Sequence, residues 1–327
     1  MRDTNPSLFV DMRASQLHNE AFGFTLIELL VSIAIIGVLL ALLLPALASS
    51  RELTQKLVCL SNTRQTAIGW QFYANENDDL SVPGQPGRFA DEQDNIYQLG
   101  NGRQYRPRWF AVIGAAAGFD AYSIPSERRE DEHSLAVDGA AVFLCPKADT
   151  WSSSRNFGYG YNYQFLGNTR FISIDGRVDR FVNFPVRASS IDSSSTVMSA
   201  DSLGSAAGKP ESLRTPNRSD GSRDSQRFAE GGHGYALDPP RISESSDICD
   251  PRSRGTLEDR SAPHKRHSGK TNVQFVDGHA KTMTLEELGY SVGDQNEVRA
   301  GNEHGSNRFF SGVSRDVLPP SILTGKL

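Results

Sequence analysis

The sequence predicts an α+β protein. A long amino-terminal helix, transmembrane in its first half and amphipathic in its second, packs on an antiparallel β-sheet with long loop insertions. Three observations carry this expectation. A nearly uninterrupted apolar segment runs from Phe24 to Leu47, with Glu28 its one ionisable side chain. Apolar residues then recur at close to a helical period as far as Phe72. Further on, Asp175-Gly176 and Asp277-Gly278 each divide two short runs rich in β-branched and aromatic residues, which is the pattern of a hairpin.

The apolar segment comes first. A bilayer core takes about 20 residues of helix, so residues 24–48 are long enough to span it. A charge inside such a span costs about 2.5–3.5 kcal/mol, which makes Glu28 a functional candidate whose partner must be named. Pro45 removes one backbone hydrogen bond and can bend the helix there. In the continuation, residues 49–80, Leu53, Leu57, Leu60, Ala67, Ile68 and Phe72 form the expected buried stripe, alternating with Arg51, Glu52, Gln55, Lys56, Arg64 and Gln65. The polar run Asn75-Glu76-Asn77-Asp78-Asp79, followed by Pro83-Gly84, ends it. A helix of about 50 residues is about 75 Å long; half would lie in lipid and half on the head.

The head, residues 81–300, reads as β-rich. Ala141-Val142-Phe143-Leu144 is a short apolar run stopped by Cys145-Pro146. Phe171–Ile174 and Arg177–Val182 flank the first Asp-Gly turn, Ser195–Ser199 is a strand candidate ending at Asp201, and Asn272–Val276 and His279–Met283 flank the second turn. Gly158-Tyr159-Gly160-Tyr161-Asn162 holds glycines without a basic phosphate partner and reads as a turn. Residues 202–263 are rich in Ser, Arg, Asp, Gly and Pro and read as a partly disordered surface insertion, and residues 301–327 as a flexible tail.

The string Gly23-Phe24-Thr25-Leu26-Ile27-Glu28, running into the apolar segment, resembles the processing signal of type IV prepilins and of type II secretion pseudopilins. The resemblance implies a pilin-like fold and a leader of residues 1–23. It implies cleavage after Gly23 by a prepilin peptidase, N-methylation of Phe24 and retention of Glu28. Pro45 matches a kink proline common in such helices. The chemistry agrees. A small residue at Gly23 admits a protease to the backbone, and cleavage creates an amine at Phe24. In a packed assembly that amine can neutralise Glu28 of a neighbouring subunit and offset the burial of both.

Composition narrows the rest. The chain has 327 residues, 34 Lys+Arg against 39 Asp+Glu, and a net charge of −5. With no basic run, it offers no footprint for nucleic acid. Arg2 and Arg13 precede the span while Arg51, Lys56 and Arg64 follow it, so counting positive charges does not orient it. The prepilin resemblance does, placing the head outside the cytoplasmic membrane of a single-pass protein. Of Cys59, Cys145 and Cys249, one pair can bridge in an oxidising compartment. Cys59–Cys145 is the preferred pair; the alternative is small buried residues without a bond.

A second signature lies near the carboxyl end. Nine residues separate His267 from Asp277-Gly278. This H-X9-DG arrangement resembles the carboxy-terminal motif of a bacterial processing-associated family with prepilin-type amino termini. Cys59-Leu60-Ser61-Asn62-Thr63-Arg64-Gln65, Tyr73-Ala74-Asn75, Cys145-Pro146 and Tyr159-Gly160-Tyr161-Asn162 fit the same family. A two-residue type I′ turn at Asp277-Gly278 would pair Val276 with His279, Phe275 with Ala280 and Val273 with Thr282. Val273, Phe275, Ala280 and Thr282 would then face the core, with Gln274, Val276, His279 and Lys281 outside. Ser268-Gly269 reads as a flexible link between His267 and the strand. A metal reading would group His267 and Asp201 with Asp277 or His279. The short regular ligand spacings of a strong metal motif are lacking, so the preferred role of His267 is structural: a hydrogen bond to a backbone carbonyl or to Asp201 that ties the hairpin down.

The expected function is therefore a processed structural subunit of a type IV pilus or type II secretion-type assembly, with prepilin peptidase, other pilin subunits and the membrane as partners. No cofactor, metal or catalytic residue is assigned. GxSxG and HExxH are absent, no cysteine has an evident paired base, and His233 and His264 read as solvated loop residues. Two readings compete: a membrane-anchored binder of metal or ligand through the His267/Asp277 region, and an uncleaved signal-anchored scaffold. The second leaves Gly23 and Glu28 unexplained.

Overall fold

The computed structural model describes residues 24–84, 97–98, 104–105, 108–121, 139–148, 158–174, 177–204, 206–214, 234–242, 260–299, 305–319 and 323–324. The leader with Gly23, the turn residues Asp175-Gly176, His233 and Cys249 lie outside them. The chain divides into two compact units, residues 1–50 and 51–327.

Helix α1, Leu26–Glu76, is continuous through Pro45. In the first unit, every residue from Phe24 to Ser50 is exposed. Among the described residues this is the one helix long and apolar enough to cross a membrane. In the second unit, α1 buries Cys59, Asn62, Thr63, Thr66, Ala67, Gly69, Trp70, Tyr73 and Ala74. This face corrects the expected one. Leu53 and Leu57 are each 55 % exposed, Ile68 48 % and Phe72 49 %; of the expected stripe Ala67 is buried and Leu60 half-buried. The reason is what the helix docks on. Thr66 Oγ1 donates to Gln274 Oε1 at 2.8 Å and Gln71 Nε2 to the Val276 carbonyl at 3.1 Å. The docking face therefore carries hydrogen-bonding and small residues beside the rings of Trp70 and Tyr73, while an apolar stripe is left outward.

That sheet is antiparallel, in the order β3-β6-β8-β9, with β7 also on β6. The strands are β3 Tyr159–Tyr161, β6 Val197–Gly204, β7 Ala262–Pro263, β8 Thr271–Phe275 and β9 Ala280–Met283. Two short ladders stand apart: β1 (Tyr97–Gln98) with β2 (Gln104–Tyr105), and β4 (Thr169–Ile174) between β5 (Arg177–Asn183) and the parallel β10 (Leu323–Thr324). Ile174 pairs with Arg177, the register of the expected two-residue hairpin. The whole is an α+β, pilin-like arrangement of a long helix and an antiparallel sheet.

The core lies on both faces of this sheet, so β6 is buried at all eight positions. On the α1 face, Trp70, Trp109, Phe110, Phe143, Tyr159 and Tyr161 pack together. Trp109 begins α2, Trp109–Ala117, which crosses α1 where Gly69 removes a side chain: a Cβ there would lie 2.8 Å from the Ile113 carbonyl oxygen. On the other face, Val197, Val273, Phe275, Met283, Leu288 and Phe310 form a second cluster.

Several segments differ from expectation. Tyr159-Gly160-Tyr161 is a buried strand, not a turn. Its glycine allows close approach, since a Cβ at Gly160 would lie 2.7 Å from Leu237 and 2.9 Å from the Ala236 carbonyl oxygen. The Ala141–Phe143 run is a 3₁₀ turn. Much of the described part of residues 202–263 is not surface: Leu203, Ala207, Tyr235, Leu237, Ile242 and Ala262 are buried, while Glu211 and Ser212 are exposed. In the carboxy-terminal segment Asn307 is buried and donates to the Arg241 and Val317 carbonyls.

The second hairpin is one residue out of the expected register: Gln274 pairs with Ala280, Val273 with Lys281 and Asn272 with Thr282. Asp277 does not adopt positive φ; Gly278 does, at +94°. The Gly278 N–H reaches the Phe275 carbonyl and the Phe275 N–H the His279 carbonyl, so the loop has three residues and ends in a left-handed glycine. One step of slip moves side chains between faces. Thr282 now donates to Asn272 Oδ1 at 2.9 Å, on the side of α1. Gln274 and Val276, expected outside, are buried.

Candidate functional site

The described chain places candidate residues in two separate regions. The first is the start of α1. The Thr25 N–H and Oγ1 donate to Glu28 Oε2 at 2.9 and 2.8 Å, and the Glu28 N–H donates to Thr25 Oγ1 at 3.2 Å. This reciprocal set is a capping box, which satisfies helix donors that have no intrahelical acceptor. Glu28 thus has a local structural partner that sequence reasoning missed. The Thr-x-x-Glu spacing was the signal for it.

The second region is a buried cluster in the second unit. Cys59 Sγ, Cys145 Sγ, an Asp201 oxygen and a His267 ring nitrogen all lie within 4.8 Å of one another. Cys59 comes from α1. One turn on, Asn62 Nδ2 donates to the carbonyls of Ala141 (3.3 Å) and Leu144 (2.9 Å), which fixes the loop carrying Cys145. Asp201 lies on β6, paired with Tyr159 of β3. His267 sits just before β8, held by mutual backbone hydrogen bonds with Lys270. Between them Ser268 and Gly269 have φ of +53° and +78°. The link expected to be flexible is therefore a tight two-residue turn with positive φ at both positions, the geometry expected at Asp277-Gly278.

Asp201 is the hub of the cluster. It accepts from Cys59 Sγ at 3.4 Å and from the Asn272 N–H at 2.9 Å, and it contacts His267 Nε2 at 3.2 Å and Arg266 Nε at 3.9 Å. Cys145 Sγ lies 3.4 Å from the same His267 nitrogen, and the Tyr159 hydroxyl donates to Cys59 Sγ at 3.5 Å. Burial alone would raise Asp201, but His267 and Arg266 hold its carboxyl below the usual range. The neighbouring Cys59 sulfur pulls Cys145 down, while burial pushes Cys59 far up. Burial lowers His267, yet its bonds to Asp201 and Cys145 outweigh that and raise it to about 9. Two thiols, an imidazole and a carboxylate buried together can share protons, bridge two sulfurs or hold a cation.

The expected grouping is met in part. His267 and Asp201 are together, which is one of the two partners the structural reading offered and the pair it shares with the metal reading. Asp277 and His279 are not with them: they pair with each other at 2.6 Å on the exposed turn at the far end of β8. Cys59 and Cys145 are together as free, buried thiols. His264, expected to be solvated, is half-buried, and burial pushes it down to about 3.

Comparison with known proteins bears on the helix start. A family model described as the prokaryotic N-terminal methylation motif matches residues 19–44. No curated protein matches the chain, and no solved structure does.

Proposed function

We propose that the chain is a structural subunit of a type IV pilus or type II secretion-type assembly, cut between Gly23 and Phe24 by a prepilin peptidase and N-methylated at Phe24. It is anchored in the cytoplasmic membrane with its head outside the cytoplasm, where it assembles with other pilin or pseudopilin subunits. The observation that carries the reading is the methylation motif over residues 19–44, continuous with a helix that leaves every residue from Phe24 to Ser50 without cover of its own. An apolar surface of that size needs lipid or neighbouring helices. The outward Leu53, Leu57, Ile68 and Phe72 extend apolar surface beyond the span, available to a second subunit. The H-X9-DG resemblance supports placing the chain in the processing-associated family, since His267 and Asp277-Gly278 bracket one strand between two turns.

Glu28 is the residue on which assembly turns. In a bundle of helices its carboxylate is costly unless paired, and the Phe24 amine of an adjacent subunit is the available cation. Glu28→Gln tests this cleanly, because glutamine at this position preserves a capping box and removes only the charge. Cross-linking of native membranes should show normal insertion and leader cleavage but several-fold weaker multimer ladders. Ladders equal to wild type would refute the assembly role.

A further inference from the structure

We propose that Cys59, Cys145, Asp201 and His267 form a closed structural site for one divalent transition-metal ion of borderline softness, zinc above all. This goes beyond the assembly role and does not depend on it. Thiolate, imidazole and carboxylate donors together suit zinc, and four protein ligands with no open position mark a structural rather than a catalytic site.

Geometry supports the assignment. Zinc bonds of about 2.0–2.3 Å set tetrahedral ligands about 3.3–3.8 Å apart. The four donors already lie within 4.8 Å of one another, with Cys145 and Asp201 at 3.4 and 3.2 Å from His267 Nε2. Small side-chain movements complete the tetrahedron. The surroundings fit as well. The Asn272 N–H orients the carboxylate and the Tyr159 hydroxyl supports the Cys59 sulfur, the kind of outer contacts that hold metal ligands in place.

Charge and hydrogen bonding distinguish the metal from its alternatives. Two thiolates, one carboxylate, a neutral imidazole and a divalent ion leave one negative charge, which the buried Arg266 beside Asp201 offsets. His267 Nδ1 is buried without a hydrogen-bond partner. A cationic ring would leave a charged N–H unsatisfied there; a neutral, metal-bound ring leaves a much less costly one. A Cys59–Cys145 disulfide would strip Asp201 of its sulfur donor and His267 of its sulfur partner. Metal binding instead replaces protons: the thiol protons of Cys59 and Cys145 and the extra proton of His267 pass to solvent as the sulfur and nitrogen lone pairs take up the cation. The site would then fasten α1, the Cys145 loop, β6 and the start of β8 at one point.

The test uses the full chain, purified in mild detergent under reducing conditions from cells supplied with zinc. Elemental analysis should give about one zinc per chain. Cobalt exchanged into the site should show thiolate-to-metal charge transfer and the visible bands of a tetrahedral complex. Cys145→Ala and His267→Ala should each lower retained metal at least tenfold, whereas Cys249→Ser should leave it unchanged. Should the alanine variants misfold, the wild-type zinc content and cobalt spectrum still decide. Folded wild-type protein without zinc or cobalt bands would overturn the proposal. So would a Cys59–Cys145 disulfide in peptides from membranes alkylated before lysis.

Discussion

Asp79 shows how a single side chain shapes this molecule after its longest helix ends. Asp78 and Asp79 adopt left-handed φ of +52° and +65°, which stops α1 and turns the chain. Asp79 then accepts hydrogen bonds from the Ser189 N–H at 3.2 Å and from its hydroxyl at 2.5 Å. Those bonds hold its carboxyl below the usual range. A carboxylate with a depressed folded pKa contributes stability that is present above its unfolded pKa of about 4 and lost as pH falls through the folded value. Asp79→Asn should therefore be less stable than wild type near neutrality, with the gap narrowing below about pH 4. Thermal midpoints measured against pH check this; a gap constant across that range would contradict it. Glu28 and Cys59 illustrate what a residue-level reading can and cannot reach. The unusual carboxylate was legible from the apolar run around it. Its bond to Thr25 was equally present in the spacing but was overshadowed by the processing signal. Cys59 and Cys145 stood out as a pair, whereas their convergence with Asp201 and His267 depends on contacts between residues far apart in sequence.

Among the elements, α1 was legible in extent but not in orientation. Its length follows from local hydrophobicity and the polar run that ends it. Its docking face does not, because the strongest apolar stripe, through Leu57, Ile68 and Phe72, is left outward while Asn62, Thr66 and Gly69 are buried. Periodicity finds the stripe that avoids water, not the partner that covers it. Hairpin strands were legible for the same local reasons, yet the register of β8 with β9 turned on whether one or two loop residues took positive φ. Gly69 gives the sharpest test at this scale. Gly69→Ala gains about 1 kcal/mol in helix propensity. The new Cβ, however, meets the Ile113 carbonyl oxygen at 2.8 Å and Ala117 at 3.4 Å, and overpacking costs about 1–3 kcal/mol. The clash involves backbone on a packed helix, so it should prevail. The variant should melt lower than wild type in the same detergent, and a raised midpoint would show that α2 is free to move aside.

For the whole molecule, the two compact units have opposite relations to solvent. The second buries aromatic cores on both faces of its sheet; the first exposes its apolar side chains from Phe24 to Leu47. The apolar surface of the first unit and the methylation motif were both legible in the first fifty residues. The head's interior was less so, because parts of the polar-looking segment 202–263 thread into the core by way of a few residues such as Leu237 and Ala262. The central claim is that the molecule is a processed subunit, and processing leaves a covalent mark. Intact-mass measurement of the chain extracted from its native membranes reads that mark directly. A mass corresponding to a chain that begins at Phe24 and carries one added methyl group is the predicted result. A mass that retains residues 1–23, with an unmethylated Phe24 in its interior, would contradict the account.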